Sequence, residues 1–304
     1  MISRKVEEIQ GDELVRQVDF KALAKINLGL DVLGKRADGY HDVRMVMQSI
    51  YLYDNIRIEE TSSPGIKLSS NLSYLPTDQR NIAYKAADML IQEFKITHGV
   101  NIHLNKRIPV AAGLAGGSSN AATVLFGMNI LFKLGLNKKE LMERGLKLGA
   151  DVPYCIMRGT ALAEGIGEKL TPLPPLPRCI VLIAKPSFSV STKNIYEGLR
   201  SSEKLNHPNI DRIISGLEAG SLDEVVKNMG NVLESVTISM HPIIDDIKNL
   251  MVENGALGAM MSGSGPTVFG LFTTKAMAAA TKEQILNKKL ARQVYVTTTQ
   301  YAQI

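Results

Sequence analysis

Apolar and polar residues alternate with a period of two through "AKINLGLDVLG", residues 24 to 34. Ala24, Ile26, Leu28, Leu30 and Val32 share one side, and Lys25, Asn27, Gly29 and Asp31 the other, which predicts a half-buried strand with one wet face. The same alternation extends back through "VRQVDFKAL", so one or two strands are expected there. It returns in "VRMVMQSIYLYDNIRIEET", "IKLSSN" and "VNIHLNKRIP". Between these, Ile82, Ala83, Ala86, Ala87, Leu90, Ile91 and Phe94 recur at helical spacing, with Gly99 as the stop. A glycine-rich loop then opens a second helix, and "KKELMERGLKLG" predicts a third that ends at Gly149. "ADVPYCIMRGTALAEGIGEKL" reads as a turn followed by short strands, and the polar residues 1 to about 13 as a loose segment or short helix.

"TPLPPLP", residues 171 to 177, holds four prolines and neither period, so the expected division is 1–175 and 176–304. Beyond it, "RCIVLIAKP" predicts a strand, and helices are expected near 209–219, 221–235 and 242–254. "GAMMSGSGPTVFGLF" reads as strand, glycine turn, strand, and a helix over 275–287 and a strand at "RQVYVTTT" close the chain. Interleaved strands and helices in both halves make this an α+β or mixed α/β protein, with α+β the expected class.

Length and charge narrow the picture only a little. A chain of 304 residues suggests about two domains. A net charge of +5, scattered and without tryptophan, speaks against a nucleic-acid groove and suits a small anionic substrate. Cys155 and Cys179 are expected to be small core residues, since two cysteines make neither a disulfide framework nor a metal motif. The five histidines show no ligand spacing. Neither a secretory signal nor a bilayer-length apolar run is expected, which makes the cytoplasm the expected compartment and a membrane partner unexpected. Oligomeric state is not legible.

"PVAAGLAGGSSNAAT", residues 109 to 123, carries the chemistry. Gly113, Gly116 and Gly117 lack a Cβ where a backbone must approach a ligand, and Ser118 and Ser119 bring hydroxyls. A helix start adds unpaired N–H groups and a positive dipole end, so the stretch is suited to phosphates. It is neither GxxxxGK[ST] nor GxGxxG. The bland alternative is a flexible turn with a serine N-cap.

The stretch resembles the Pro-x3-Gly-Leu-x-Gly-Gly/Ser-Ser-x-Ala loop of the GHMP kinases (galactokinase, homoserine, mevalonate and phosphomevalonate kinases). "MSGSGPTVFGLF", residues 261 to 272, resembles that superfamily's C-terminal glycine motif. "AKINLGLDVLGKRADGYH", "LGADVPYCIMRGTALAEGIGE" and the "GGSSNAA" variant are similar to the branch that phosphorylates a cytidine diphosphate-linked methylerythritol for non-mevalonate isoprenoid precursors. The resemblance runs from about residue 20 to the C-terminus. It implies an N-terminal domain like ribosomal protein S5 domain 2, a ferredoxin-like C-terminal domain, and ATP and substrate meeting between them.

The resemblance also implies roles. Pro109, Val110, Ala111, Ala112, Gly113, Leu114, Ala115, Gly116, Gly117, Ser118, Ser119 and Asn120 would cradle ATP. Asn81 and Ile82 would flank adenine, and Mg²⁺ would accompany the phosphates against Ser118 or Ser119. Asp151 would be the general base, although an aspartate after a helix-ending glycine is more often a cap. Lys25 would pair with it and polarise the substrate hydroxyl, with Asn27 alongside. Tyr40 and His41 would hold the cytosine, Tyr196 would complete a sandwich with Tyr40, and Thr192 would bond nearby. "SFSVSTKNIY" departs from the family pattern, which often has Phe and a proline-rich turn. Gly263 and Gly265 are expected to shape the cleft edge. Two other readings stay open: a kinase for another small alcohol, and a nucleotide-binding regulator that has lost catalysis.

Overall fold

The computed structural model describes residues 4–10, 13–199 and 205–300. The chain begins with strands β1 (Arg4–Gln10), β2 (Glu13–Lys35), β3 (His41–Thr61) and β4 (Ile66–Ser70). Then come α1 (Ile82–Phe94), β5 (Gly99–Asn105), α2 (Gly116–Leu131), α3 (Lys138–Leu146), α4 (Val152–Met157), β6 (Thr160–Gly165) and β7 (Lys169–Leu173). The remainder is β8 (Ile180–Lys185), α5 (Thr192–Gly198), α6 (Ile210–Glu218), α7 (Leu222–Asn228), β9 (Gly230–Asn231), α8 (Glu234–Met240), α9 (Ile243–Glu253), β10 (Gly258–Met261), β11 (Val268–Phe272), α10 (Lys275–Asn287) and β12 (Gln293–Thr298).

One sheet runs β1-β2-β3-β5-β4, with β6 and β7 continuing from β3 and β9 joining β2 in parallel. The second is antiparallel, β10-β11-β8-β12, backed by α9 and α10. α1 and α2 pack on each other, and α2 against β2 and β3. α2 is apolar around nearly its whole circumference and is correspondingly buried.

Four segments differ from the pattern-based expectation. Residues 4–10 form a strand, paired antiparallel with β2 from Arg4↔Asp19 to Gln10↔Glu13; partner strand geometry decides it, not local period. "VPYCIM" is a helix, too short to display a 3.6-residue repeat. The proline stretch starts inside β7, where Pro172 sits on an edge strand and its missing N–H breaks no ladder. The helix expected over 221–235 is split into α7 and α8 by the two residues of β9.

The alternation of residues 24–34 also needed correction. β2 is one 23-residue strand whose register against β3 shifts at Leu23/Ala24, Asn27/Gly29 and Val32/Gly34. The first shift leaves Tyr51 and Leu52 of β3 unpaired, the other two each add one residue to β2, and the faces change across these irregularities. Ala22, Leu30 and Val32 therefore join the core that α1 and α2 share with the first sheet. Ala24, Ile26 and Leu28 join a second core with Ile183, Phe269 and Leu271 of the other sheet. The anticipated wet face is not wet: Lys25 is 5% exposed and Asn27 0%.

Gly29 lets α6 approach β2 closely. A Cβ there would lie 2.5 Å from Ile213 Cδ1 and 2.7 Å from Ile210 Cδ1. Arg44 on β3 grips Asp211 of α6 with two bonds, at 2.7 and 3.0 Å.

Candidate active site

The two glycine stretches meet at the wall of a cleft of about 1020 Å³. Of the loop, Pro109 to Gly113 and Ala115 to Ser118 line it, together with Asn120. Leu114 and Ser119 do not; both are buried, and Leu114 contributes its carbonyl to the amide of Lys25 at 3.2 Å. Of the two serines, Ser118 is thus the one that faces the cleft.

The loop's backbone is unusual. Ala111, Gly113 and Ala115 all have left-handed φ, at 51°, 73° and 54°. Two are not glycine, so surrounding contacts must hold the strained form. Gly113 has no alternative, because a Cβ there would fall 2.1 Å from the carbonyl oxygen of Ser262. Ala115 occupies the N-cap position of α2 and has no side chain with which to cap it. The serine cap of the bland alternative is therefore absent, and the first amides of a sixteen-residue helix open toward the cleft.

Beneath this loop lies a group that the sequence reading missed. Asp54 on β3, fully buried, accepts from Lys106 Nζ, from Asn120 Nδ2 at 2.8 Å, and from the amides of Arg107 and Ile108 at 2.6 and 2.8 Å. Lys106 also donates to Asn120 Oδ1 at 2.8 Å and lines the cleft under Gly116. Every strong donor and acceptor of the trio is matched, as buried charge requires. "NKRIP" places Lys106 just before the loop, but nothing in the sequence marks Asp54, fifty-two positions earlier.

Lys25 and Asp151 face the same cleft. No ion pair joins them among the described residues, contrary to the expected direct pairing. The ammonium donates to Asn27 Oδ1 at 2.7 Å. It also lies close to the second glycine turn, where a Cβ on Gly263 would be 3.5 Å from Lys25 Nζ. Asn27 is fully buried behind Lys25, bonds Met45 Sδ at 3.3 Å, and does not line the cleft. Asp151 stands at the N-cap position of α4 but makes no side-chain capping bond. Its carboxylate is thereby available to the cleft, and the capping alternative does not hold. Both charges act on Cys155: burial pushes that thiol up, Asp151 adds to the rise and Lys25 opposes it.

Tyr40, His41, Thr192 and Tyr196 also line the cleft. Tyr40 is 61% exposed and presents its ring openly. The Tyr196 ring rests instead on His41, centroids 5.0 Å apart and tilted by 40°. Burial, with a smaller contribution from Asp151, pushes the Tyr196 hydroxyl up to about 12, so it stays protonated at neutral pH. Thr192 meets Ser264 of the second glycine turn, Oγ to Oγ at 2.9 Å. Lys35 and Lys193 line the cleft as well, and neither was anticipated.

Asn81 and Ile82 line the cleft with Leu75 and Pro76. The Asn81 side chain caps α1 through the amide of Ala83 at 3.0 Å and donates to Pro76 O at 2.8 Å. It builds this wall with its side chain and does not extend it into the cleft as a free amide.

A nucleotide-sized cleft with an anion cradle, a lysine and a free carboxylate defines a small-molecule phosphotransferase. Two family models match the chain: the GHMP kinases N terminal domain over residues 81–159 and the GHMP kinases C terminal over 213–292. The chain belongs to the GHMP kinases, whose phosphoryl donor is ATP. The fold is shared by a homoserine kinase from Cytophaga hutchinsonii, TM-score 0.74 at 21% identity, covering 96% of this chain and 97% of that one. A solved 4-(cytidine 5'-diphospho)-2C-methyl-D-erythritol kinase superposes with TM-score 0.79 at 31% identity, over 92% of this chain and 98% of that one. The 4-diphosphocytidyl-2-C-methyl-D-erythritol kinase of Lachnospira eligens is 53% identical over 94% of this chain and 99% of its own length. That of Caldicellulosiruptor bescii is 48% identical over 92% and 97%.

Proposed function

We propose that Asp151 accepts the proton of a substrate hydroxyl while that oxygen attacks the γ-phosphorus of ATP. Lys25 stands beside the same oxygen, and the loop from Pro109 to Asn120 surrounds the triphosphate. The chain phosphorylates the 2-hydroxyl of 4-diphosphocytidyl-2-C-methyl-D-erythritol, a step toward isoprenoid precursors outside the mevalonate route. One O–P bond forms, the bond from the γ-phosphorus to the bridging oxygen breaks, and ADP leaves.

The observation that carries this reading is the uncapped Asp151 sharing a cleft with Lys25 and the glycine loop. Little covalent work falls to the protein in phosphoryl transfer, so placement and charge supply most of the acceleration. Asn27 fixes Lys25 from behind. Tyr40 supplies a stacking face for cytosine, with Tyr196 and His41 as the opposing wall and Thr192 at its edge. Asn81 and Ile82 flank the adenine end.

No group of three or more metal-binding side chains occurs among the described residues. Mg²⁺ would arrive with ATP, since this ion keeps its waters and takes one or two protein ligands plus phosphates. Ser118 would hold it, and the ion would neutralise charge on the β- and γ-phosphates. We assign the reaction to the cytoplasm; no described helix is long and apolar enough to cross a membrane. The division into 1–175 and 176–304 belongs to the same reading, with β9 returning from the second part to the first sheet.

The test is ADP release from Mg-ATP with the cytidyl alcohol, mevalonate and homoserine in parallel. Turnover is expected with the cytidyl alcohol alone, and Asp151→Asn is expected to abolish nearly all of it while ADP still binds. Equal turnover with mevalonate or homoserine overturns the substrate assignment, and wild-type turnover by Asp151→Asn overturns the base.

A further inference from the structure

Asn231, buried on β9, sets the direction of a peptide in the second glycine turn. Its Nδ2 donates to the carbonyls of Met261 at 2.9 Å and Gly263 at 2.8 Å, while its Oδ1 accepts from the amide of Leu233 at 3.0 Å. Glu234 grips the same turn from the other side, accepting from the amide of Met261 at 2.7 Å and held in turn by Lys248 at 2.9 Å. Within the turn, the Ser262 amide bonds Thr267 O and the Gly265 amide bonds Ser262 O. The amides of Gly263 and Ser264 have no acceptor among the described residues.

The Gly263 carbonyl accounts for the second of these amides. The Gly263–Ser264 peptide is trans, so its C=O and N–H point in opposite directions. Drawing the Gly263 carbonyl back to Asn231 turns the Ser264 N–H the other way, toward the cleft that Gly263, Ser264 and Gly265 line. Two successive unpaired amides, the first on a residue with φ of 60°, form a concavity that attracts anions. β9 pairs with β2 at Leu30↔Asn231, so the strand that carries Lys25 also references the turn. The Thr192 hydroxyl on Ser264 and the Ser262 hydroxyl on Gly113 O, at 2.9 Å each, fasten it to both neighbouring walls.

We propose that Asn231 is a positioning residue for phosphoryl transfer, holding the 263–264 peptide so that the Ser264 N–H donates to an anionic phosphate oxygen in the cleft. The proposal rests on the kinase reading. Asn231 touches neither nucleotide nor alcohol; it acts through the turn.

Two measurements test it, the first on the unaltered protein. In ¹⁵N-labelled enzyme, the Ser264 amide proton should move downfield and exchange more slowly when ADP and the cytidyl alcohol are both saturating. An unmoved Ser264 amide, with the Gly116 and Gly117 amides perturbed to prove occupancy, overturns the proposal and leaves the kinase reading intact. The second compares Asn231→Ala with Asn231→Asp, which keeps the acceptor for Leu233 and loses both donors. For each folded variant kcat should drop about tenfold or more, with the KM of the cytidyl alcohol within about twofold. The Ser264 shift should vanish with it. A kcat per folded molecule equal to wild type in either variant overturns the positioning role, because a purely structural role lowers only the folded fraction. If neither variant folds, the Ser264 measurement decides.

Discussion

At the residue scale, the proposed stacking face for cytosine is Tyr40, which lines the cleft. A tyrosine ring left 61% exposed at a cleft mouth costs hydration that a stacked base would recover. Tyr40→Ala should weaken the cytidyl alcohol by about 1–3 kcal/mol in titration calorimetry, with ADP binding unchanged. An unaltered affinity would mean that the base lies elsewhere. At this scale, legibility followed adjacency along the chain. The glycines, the serines and the helix start of residues 109–123 are consecutive, so a loop suited to phosphates could be read directly, whereas the cytosine role of Tyr40 and His41 in "ADGYH" is implied by the family resemblance alone. Asp54 and Asn231 look like ordinary residues of an expected strand and an expected helix until partners 52 and 32 positions away come alongside. Lys25 and Asn27 were legible together as neighbours on one face, and their bond forms, whereas the direct pairing of Lys25 with Asp151 does not.

At the scale of elements, the Asp54–Lys106–Asn120 group ties β3, the end of β5 and the start of α2 into one unit. Removing one partner strands the others in a dry site. Asp54→Ala should therefore cost about 3–5 kcal/mol in urea unfolding, far above a surface ion-pair deletion. A loss below about 1 kcal/mol would show that water reaches Lys106 and that the group is not a dry one. Long elements such as α1 and β3 were readable because a period needs length to declare itself. α4 with six residues and β9 with two were not. β2 misled in a different way, since its register shifts leave the alternation of residues 24–32 intact in sequence while sending the same parity to two different cores.

For the whole molecule, the buried acids set an alkaline limit. Burial raises Cys155 above its ordinary 9.0 and Tyr154 above its ordinary 10.0, and takes Cys179 to about 12. Tyr196 reaches about 12 by burial and the charge of Asp151. A group whose folded value lies above its unfolded one stabilises the fold below the unfolded value, and that contribution is lost as pH rises toward the folded value. Tm should thus be level with respect to these groups below about pH 8 and fall from pH 9 toward 12. Cys155→Ala should shift the onset upward, and an onset that ignores both thiols would assign the limit elsewhere.

The second core has a consequence during synthesis. Its early contributors, Ala24, Ile26 and Leu28, leave the ribosome long before Phe269 and Leu271 exist. At about 5–20 residues per second the delay is on the order of 12–50 seconds. Throughout it the nascent chain carries the early half of this core without the residues that later cover it.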